Sequence, residues 1–231
     1  MFSLSILLFQ KAKTAGKEEA SATQNLIDIV VNGGPLGIAI VVILTLLSIM
    51  ALYIFIERWL TIKRAGKIDE NFMNNIRAAV TAGNIEGAKA LCKNTDSPIA
   101  RMVEKGLLRI GKPLRDIDAA IENVGNLEVF KLEKGLSTLA SIAGAAPMIG
   151  FFGTVTGMIL AFYTMATADN VGPAQLAGGI YQALITTAFG LMIGIVAFVG
   201  YNLLVAKVEN VVFKMERTTT DFMDLLQEPS H

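Results

Sequence analysis

GLSTLASIAGAAPMIGFFGTVTGMILAFYTMATA (135–168) and LAGGIYQALITTAFGLMIGIVAFVGYNLLVA (176–206) decide the fold of this 231-residue chain. Between Lys134 and Lys207 the only charged residue is Asp169, which separates the two runs. A helix of about 20 apolar residues crosses a hydrocarbon core about 30 Å thick, and both runs exceed that length. At about 1.5 Å per residue the first reaches some 50 Å, so its opening turns stand outside the hydrocarbon and the span proper starts near Ala140. Leu36 to Ile56 supplies a third run without a charge. The expected fold is therefore an all-α membrane protein with transmembrane helices at 36–57, 135–168 (with a cytoplasmic extension) and 176–206. Neither of the last two helices carries a side chain that titrates near neutral pH. If the protein moves ions, the group that takes them up and releases them comes from another subunit.

The hydrophobic fraction of 53% and charged fraction of 17% fit an integral membrane protein. Net charge is zero, but its distribution is uneven. Arg58, Lys63, Arg64 and Lys67 follow the first span, Lys131 and Lys134 precede the second, and Lys207, Lys214 and Arg217 follow the third. The loop around 169–175 has no basic residue. Basic flanks stay in the cytoplasm, which puts the amino terminus outside, 58–134 inside as a helical domain, 169–175 outside as a hairpin, and 207–231 inside as a carboxyl-terminal helix. Lys11, Lys13 and Lys17 run against this orientation and are offset locally by Glu18 and Glu19. Met1 to Phe9 is apolar, but no basic stretch precedes it and a charged segment follows it, unlike a secretion leader. Residues 1–35 are expected to be a tail with a short interfacial helix (Leu26, Ile27, Val30, Val31) ended by Gly33-Gly34-Pro35. Tyr53 and Trp59 suit the headgroup level at the inner end of the first span.

The segment 58–134 reads as helices. Asp69 is the expected cap of a helix with apolar face Phe72, Ile76 and Val80, ended by Gly83. A second helix starts at Asn84 and buries Ile85, Ala88 and Leu91. Ser97-Pro98 is a cap followed by proline at the first helical position, opening a third helix with Ile99, Val103 and Leu107 that stops at Gly111. From Asp116 the pattern Ile117, Ile121, Val124 runs without proline toward Pro147, predicting one long helix that rises into the second span. Fourteen basic and ten acidic residues are interspersed from Arg58 to Lys134. That mixture reads as a solvated surface, not a nucleotide or nucleic-acid site, and Glu57-Arg58 reads as an edge pair that either bridges subunits or, the simpler choice, faces headgroups.

No strand alternation, P-loop, dinucleotide fingerprint or Cys/His cluster is visible, so neither enzyme chemistry nor a bound cofactor is expected. Cys92, the one cysteine, reads as an inert structural thiol. His231, the one histidine, reads as a terminal residue without function.

The membrane faces are more informative. Pro147, Gly150, Thr154, Gly157, Ala161 and Thr164 recur at spacings of three and four, forming one small, weakly polar stripe. Ala183, Thr187, Gly190, Gly194 and Ala197 form another, with Gln182 and Thr186 beside its outer half. Small stripes let helix backbones approach closely, which accounts for the glycines. Hydroxyls and an amide in hydrocarbon need partners, and a water-lined lumen would supply them, although threonine can also bond its own i−4 carbonyl. Two readings therefore stand: a conducting wall, or a scaffold whose stripes meet in a dry interface.

Pro147 with Gly150-Phe151-Phe152-Gly153-Thr154-Val155 and Gly157, then Gly179-Ile180-Tyr181-Gln182-Ala183-Leu184 leading through Thr187, Gly190 and Leu191 to Tyr201-Asn202, resemble the MotA/TolQ/ExbB proton channel family, most closely its ExbB branch. The resemblance covers the second and third spans. The first span and the cytoplasmic helices agree in layout only. It implies a multi-pass protein of the bacterial inner membrane, with a periplasmic amino terminus, that forms a homopentamer around a pore. It also implies an ExbD-like single-span partner whose membrane aspartate carries the proton, and a TonB-like protein that receives the energy for outer-membrane nutrient import. The Tol apparatus is the alternative recipient. Among the implied pore-lining residues Gly150, Thr154, Gly157, Gln182, Ala183, Thr187 and Gly190, the family's two pore threonines correspond to Thr154 and Thr187. Two positions depart from the pattern. Gln182 stands where many relatives have glutamate, and an amide cannot accept a full proton. Val196 replaces a mid-span proline, which should leave the third span straighter. A flagellar role fits less well, since three spans are counted here against four.

Overall fold

The computed structural model describes residues 34–67, 71–167 and 172–227, and among these the chain is helical without strands. The helices are α1 (Gly34–Ala65), α2 (Phe72–Thr81), α3 (Ile85–Lys93), α4 (Pro98–Leu107), α5 (Leu114–Glu133), α6 (Leu136–Thr167) and α7 (Pro173–Gln227). Three stretches of helix among the described residues are long and apolar enough to cross a membrane, and they contain the three expected spans: Pro35–Ala65, Leu114–Thr167 and Leu176–Gln227. Leu36, Val42, Leu46, Ile49, Phe151 and Ile195 lie exposed on them. Helices apolar all round belong in lipid or a buried core, so the chain is a multi-pass membrane protein. The expected interfacial helix, Asp69 as a cap, Asp169 and His231 lie outside the described residues.

The chain divides into two compact units. Among the described residues the first comprises 34–50 and 142–196. Here Ile40, Leu44, Ile142, Ala146 and Ala183 are buried, and α1 reaches α6 where a Cβ added at Gly153 would meet Ile40 at 3.4 Å.

The second unit comprises 51–141 and 197–227, and is mostly short helices held on a shared core. Asn84 caps α3 by accepting from the Gly87 amide at 2.9 Å, and Ser97 caps α4 by accepting from Ala100 at 3.2 Å, as the two sequence signals predict. Phe72 and Ile76 are buried on α2. On α3 the buried pair is Ala88 and Cys92, while Leu91, expected inside, is 38% exposed. Cys92 lies four residues after Ala88 and so takes the inward face. α4 ends at Leu107, and turns carry the chain to Gly111 at φ 92°. The far end of α7 closes this core. Phe222 has no exposure, and a Cβ on Gly106 would come within 2.5 Å of its ring.

The single long helix expected from Asp116 through Pro147 is not formed. α5 ends at Glu133, Lys134 takes φ −52° and ψ 128°, and Gly135 takes φ 83° before α6 starts. A left-handed glycine after a last turn containing lysine is a helix stop. The apolar repeat continues across this stop, so periodicity alone reads through it. By contrast α7 is unbroken, and its last turns are a continuation of the third span.

Candidate functional site

Both small stripes fall on one seam between α6 and α7. Gly190 is its closest approach of backbone to backbone: a Cβ there would lie 2.6 Å from the Ala146 carbonyl oxygen and 2.9 Å from the Gly150 Cα. Only backbone hydrogen fits such a gap, and that approach brings the next hydroxyls within bonding reach. The seam continues through Gly194 against Pro147, Gly157 against Ala183, and Gly179 against Ala161.

The Thr154 and Thr187 hydroxyls hydrogen-bond each other across the seam. The Thr187 hydroxyl also lies 3.0 Å from the Gly150 carbonyl. Thr154 lies 3.2 Å from the Ala183 carbonyl and 3.4 Å from that of Gly150. Thr186, buried beside them, donates to Ala183 at 2.7 Å and stands 3.5 Å from Gly150. Each hydroxyl has one proton and two acceptor lone pairs. The shared bond can run either way: Thr154 donating to Thr187 and Thr187 to Gly150, or Thr187 donating to Thr154 and Thr154 to Ala183 or Gly150. In both, the protons of the pair are spent inside the seam and lone pairs remain. Thr154 and Thr187 are only half-buried, so those lone pairs can be approached. The pair is thus set to accept a hydrogen bond from water or from a neutral carboxyl group. Binding an ionised carboxylate requires one hydroxyl to turn outward, exchanging an inward bond of about 1 kcal/mol net.

Of the residues implied by resemblance, Gly150, Ala183 and Gly190 are buried in this seam and Gly157 is half-buried in it. Gln182 is set apart. Its amide faces α1, where a Cβ on Gly37 would lie 3.4 Å from Nε2. Thr164 lies farther along α6 and bonds its own i−4 carbonyl, Leu160, at 2.9 Å. Thr186 was visible in the sequence only as a neighbour of the stripe. Its burial follows from Gly153, which leaves room for its hydroxyl.

The charges of the second unit are not uniformly solvated, contrary to expectation. Glu128 is 4% exposed and accepts from Arg101 and Lys131, both at 2.7 Å, while Arg101 also meets Asp96 at 2.7 Å. Burial alone would raise the Glu128 carboxyl. The hydrogen bonds from Arg101 and Lys131 overcome this and leave it below its ordinary value. Glu57 and Arg58 form the expected edge pair. Arg58 also reaches the Lys131 carbonyl at 3.1 Å. Lys207 lies over the Trp59 ring, 4.1 Å from its centre. The Cys92 thiol is buried and pushed up to about 12, first by desolvation and then by Glu104, consistent with an unreactive group.

Residues 94–217 match the family described as the MotA/TolQ/ExbB proton channel family. The chain is 27% identical over 203 residues to the Tol-Pal system protein TolQ of Pseudomonas aeruginosa, covering 82% of this chain and 88% of that one. It is 28% identical over 188 residues to the biopolymer transport protein ExbB of Neisseria meningitidis, covering 75% and 84%. Against a putative biopolymer transport protein ExbB homolog of Methanothermobacter thermautotrophicus the identity is 34% over 121 residues. That match takes in 52% of this chain and less than half, 42%, of the relative.

Proposed function

Because the chain belongs to the MotA/TolQ/ExbB proton channel family, we propose that it is the ExbB-like subunit of a proton-driven complex in the bacterial inner membrane. In this reading copies of the chain form a pentamer around a pore, with the amino terminus periplasmic and the carboxyl terminus cytoplasmic. A single-span partner of ExbD type supplies a membrane aspartate, and a TonB-like protein takes up the work for outer-membrane nutrient import.

One observation carries the proposal. Two hydroxyls from adjacent spans meet with their protons spent inward, in an interval whose helices have no side chain that titrates near neutral pH. An ionised aspartate at mid-membrane costs roughly 2.5 to 3.5 kcal/mol on insertion scales. A wall of hydroxyls and water lowers that cost, and lone pairs at Thr154 and Thr187 receive the carboxyl once it is protonated. Neither hydroxyl titrates near neutral pH, so both serve a carrier from another chain. Gln182 hydrogen-bonds but does not carry the proton.

A Tol-linked role is the second reading, favoured by the coverage of the TolQ relative. Deleting the gene and restoring it on a plasmid separates the two. ExbB-like work predicts loss of siderophore-dependent growth with an intact outer membrane. Detergent sensitivity and periplasmic leakage with normal siderophore use would assign the chain to the Tol apparatus. Neither defect would overturn both readings and leave the non-conducting scaffold.

A further inference from the structure

We propose that Arg58 is a positioning residue that holds the elbow between α5 and α6 at one angle. Three observations meet at this point. First, the elbow is a true break: Lys134 leaves helical geometry and Gly135 sits at φ 83°. A two-residue joint between two helices is free to turn unless something fixes it. Second, the last carbonyls of α5 have no partner within their own helix, and Arg58, from α1, donates to one of them through Nη1 to Lys131. A guanidinium at a helix carboxyl end also meets the negative pole of the helix dipole. Third, the guanidinium is itself immobilised. Its Nε and Nη2 donate to the two Glu57 oxygens at 2.5 and 2.6 Å, and its side chain is only 13% exposed. A Cβ added at Gly135 would lie 3.6 Å from Ile54 and 3.9 Å from Arg58 Nε, so the same turn of α1 also walls the joint.

The fixture extends into the cytoplasmic helices. Lys131, whose carbonyl takes the Arg58 bond, gives its ammonium to Glu128, and Glu128 takes Arg101 of α4. A continuous polar chain thus runs from α4 through the end of α5 to α1.

The test uses spin labels at Asn123 on α5 and Ser141 on α6, both exposed, in the full chain reconstituted with its partner in nanodiscs. Native Cys92 is buried and unreactive and stays in place. Wild type is expected to give one narrow label-to-label distance. Arg58→Gln is expected to broaden or split it at unchanged subunit number and Tm, a change that general destabilisation would not produce alone. If that variant does not accumulate, Arg58→Lys carries the test, because one ammonium cannot replace a fork with three simultaneous bonds. A wild-type distribution in the variant measured overturns the proposal.

Proton flux into vesicles supplies the second arm and rests on the proton-channel reading. Losing a charge-assisted bond at the joint is expected to lower flux about tenfold at equal complex content. Broadened distances with unchanged flux would overturn the positioning role. Absent flux in wild type would refute the channel reading, and the distance arm would then decide whether Arg58 holds the elbow.

Discussion

Thr154 and Thr187 are tied to each other and to backbone carbonyls, so a methyl in place of either hydroxyl removes both a donor and its acceptor lone pairs. Thr154→Val and Thr187→Val are nearly isosteric and should leave the seam assembled. Each is expected to lower gradient-driven work at least tenfold, read as siderophore-dependent growth with the complex recovered in normal amount. Thr154→Ser should retain most of it, since the hydroxyl remains. Normal growth of both valine variants would remove the pair from the mechanism. Gln182 faces α1 across from Gly37, so Gln182→Ala is expected to lower the Tm of the purified complex more than its flux. Unchanged stability with lost flux would reverse that assignment. The threonine positions were legible because helical spacing puts them on the two stripes and the surrounding motifs carry the family resemblance. The direction of Gln182 was not, because a residue at the edge of a stripe can face either neighbour, and only the placement of α1 selects one.

At the level of elements, the close approach at Gly190 and Gly150 governs whether α6 and α7 meet at all. Gly190→Val drives a branched side chain onto the Ala146 carbonyl. Overpacking of this kind costs about 1 to 3 kcal/mol, so the protein is expected to melt earlier in detergent, with flux falling as assembly falls. The buried carboxylate of Glu128 makes a different prediction. Its pKa is held below the ordinary 4.5, so its pairing stabilises the fold above that value, and the contribution is lost as pH falls through the lowered pKa. The Tm advantage of wild type over Glu128→Gln should be steady near neutral pH and shrink below about 4.5. A constant difference down to pH 3 would contradict the pairing. The caps at Asn84 and Ser97 were readable because each is a local signal with a local partner. The break at Gly135 was announced by Lys131 and Lys134 before a glycine, yet the apolar period of α5 continues toward α6 and masks it. The Arg101–Glu128 pair joins positions 27 residues apart, and mixed surface charge does not distinguish such a pair from solvated neighbours.

Across the whole chain, the layout of three spans follows from uncharged runs that no soluble surface could carry, and it was therefore the most legible part of the molecule. What composition does not convey is that the carboxyl-terminal turns of α7 belong to the core of the second unit. Phe222 fills it against Gly106, and Phe222→Ala should cost about 3 to 5 kcal/mol, read as loss of folded protein from the membrane fraction. The central claim concerns dependence on another chain, because the second and third membrane helices hold hydroxyls but no group that titrates near neutral pH. The direct measurement is acid-driven proton flux into vesicles containing this chain alone, or the chain with its single-span partner carrying either the membrane aspartate or asparagine at that position. Flux only with the aspartate partner is the predicted result. Equal flux from the chain alone or with the asparagine partner, or no flux from the aspartate complex, would contradict it.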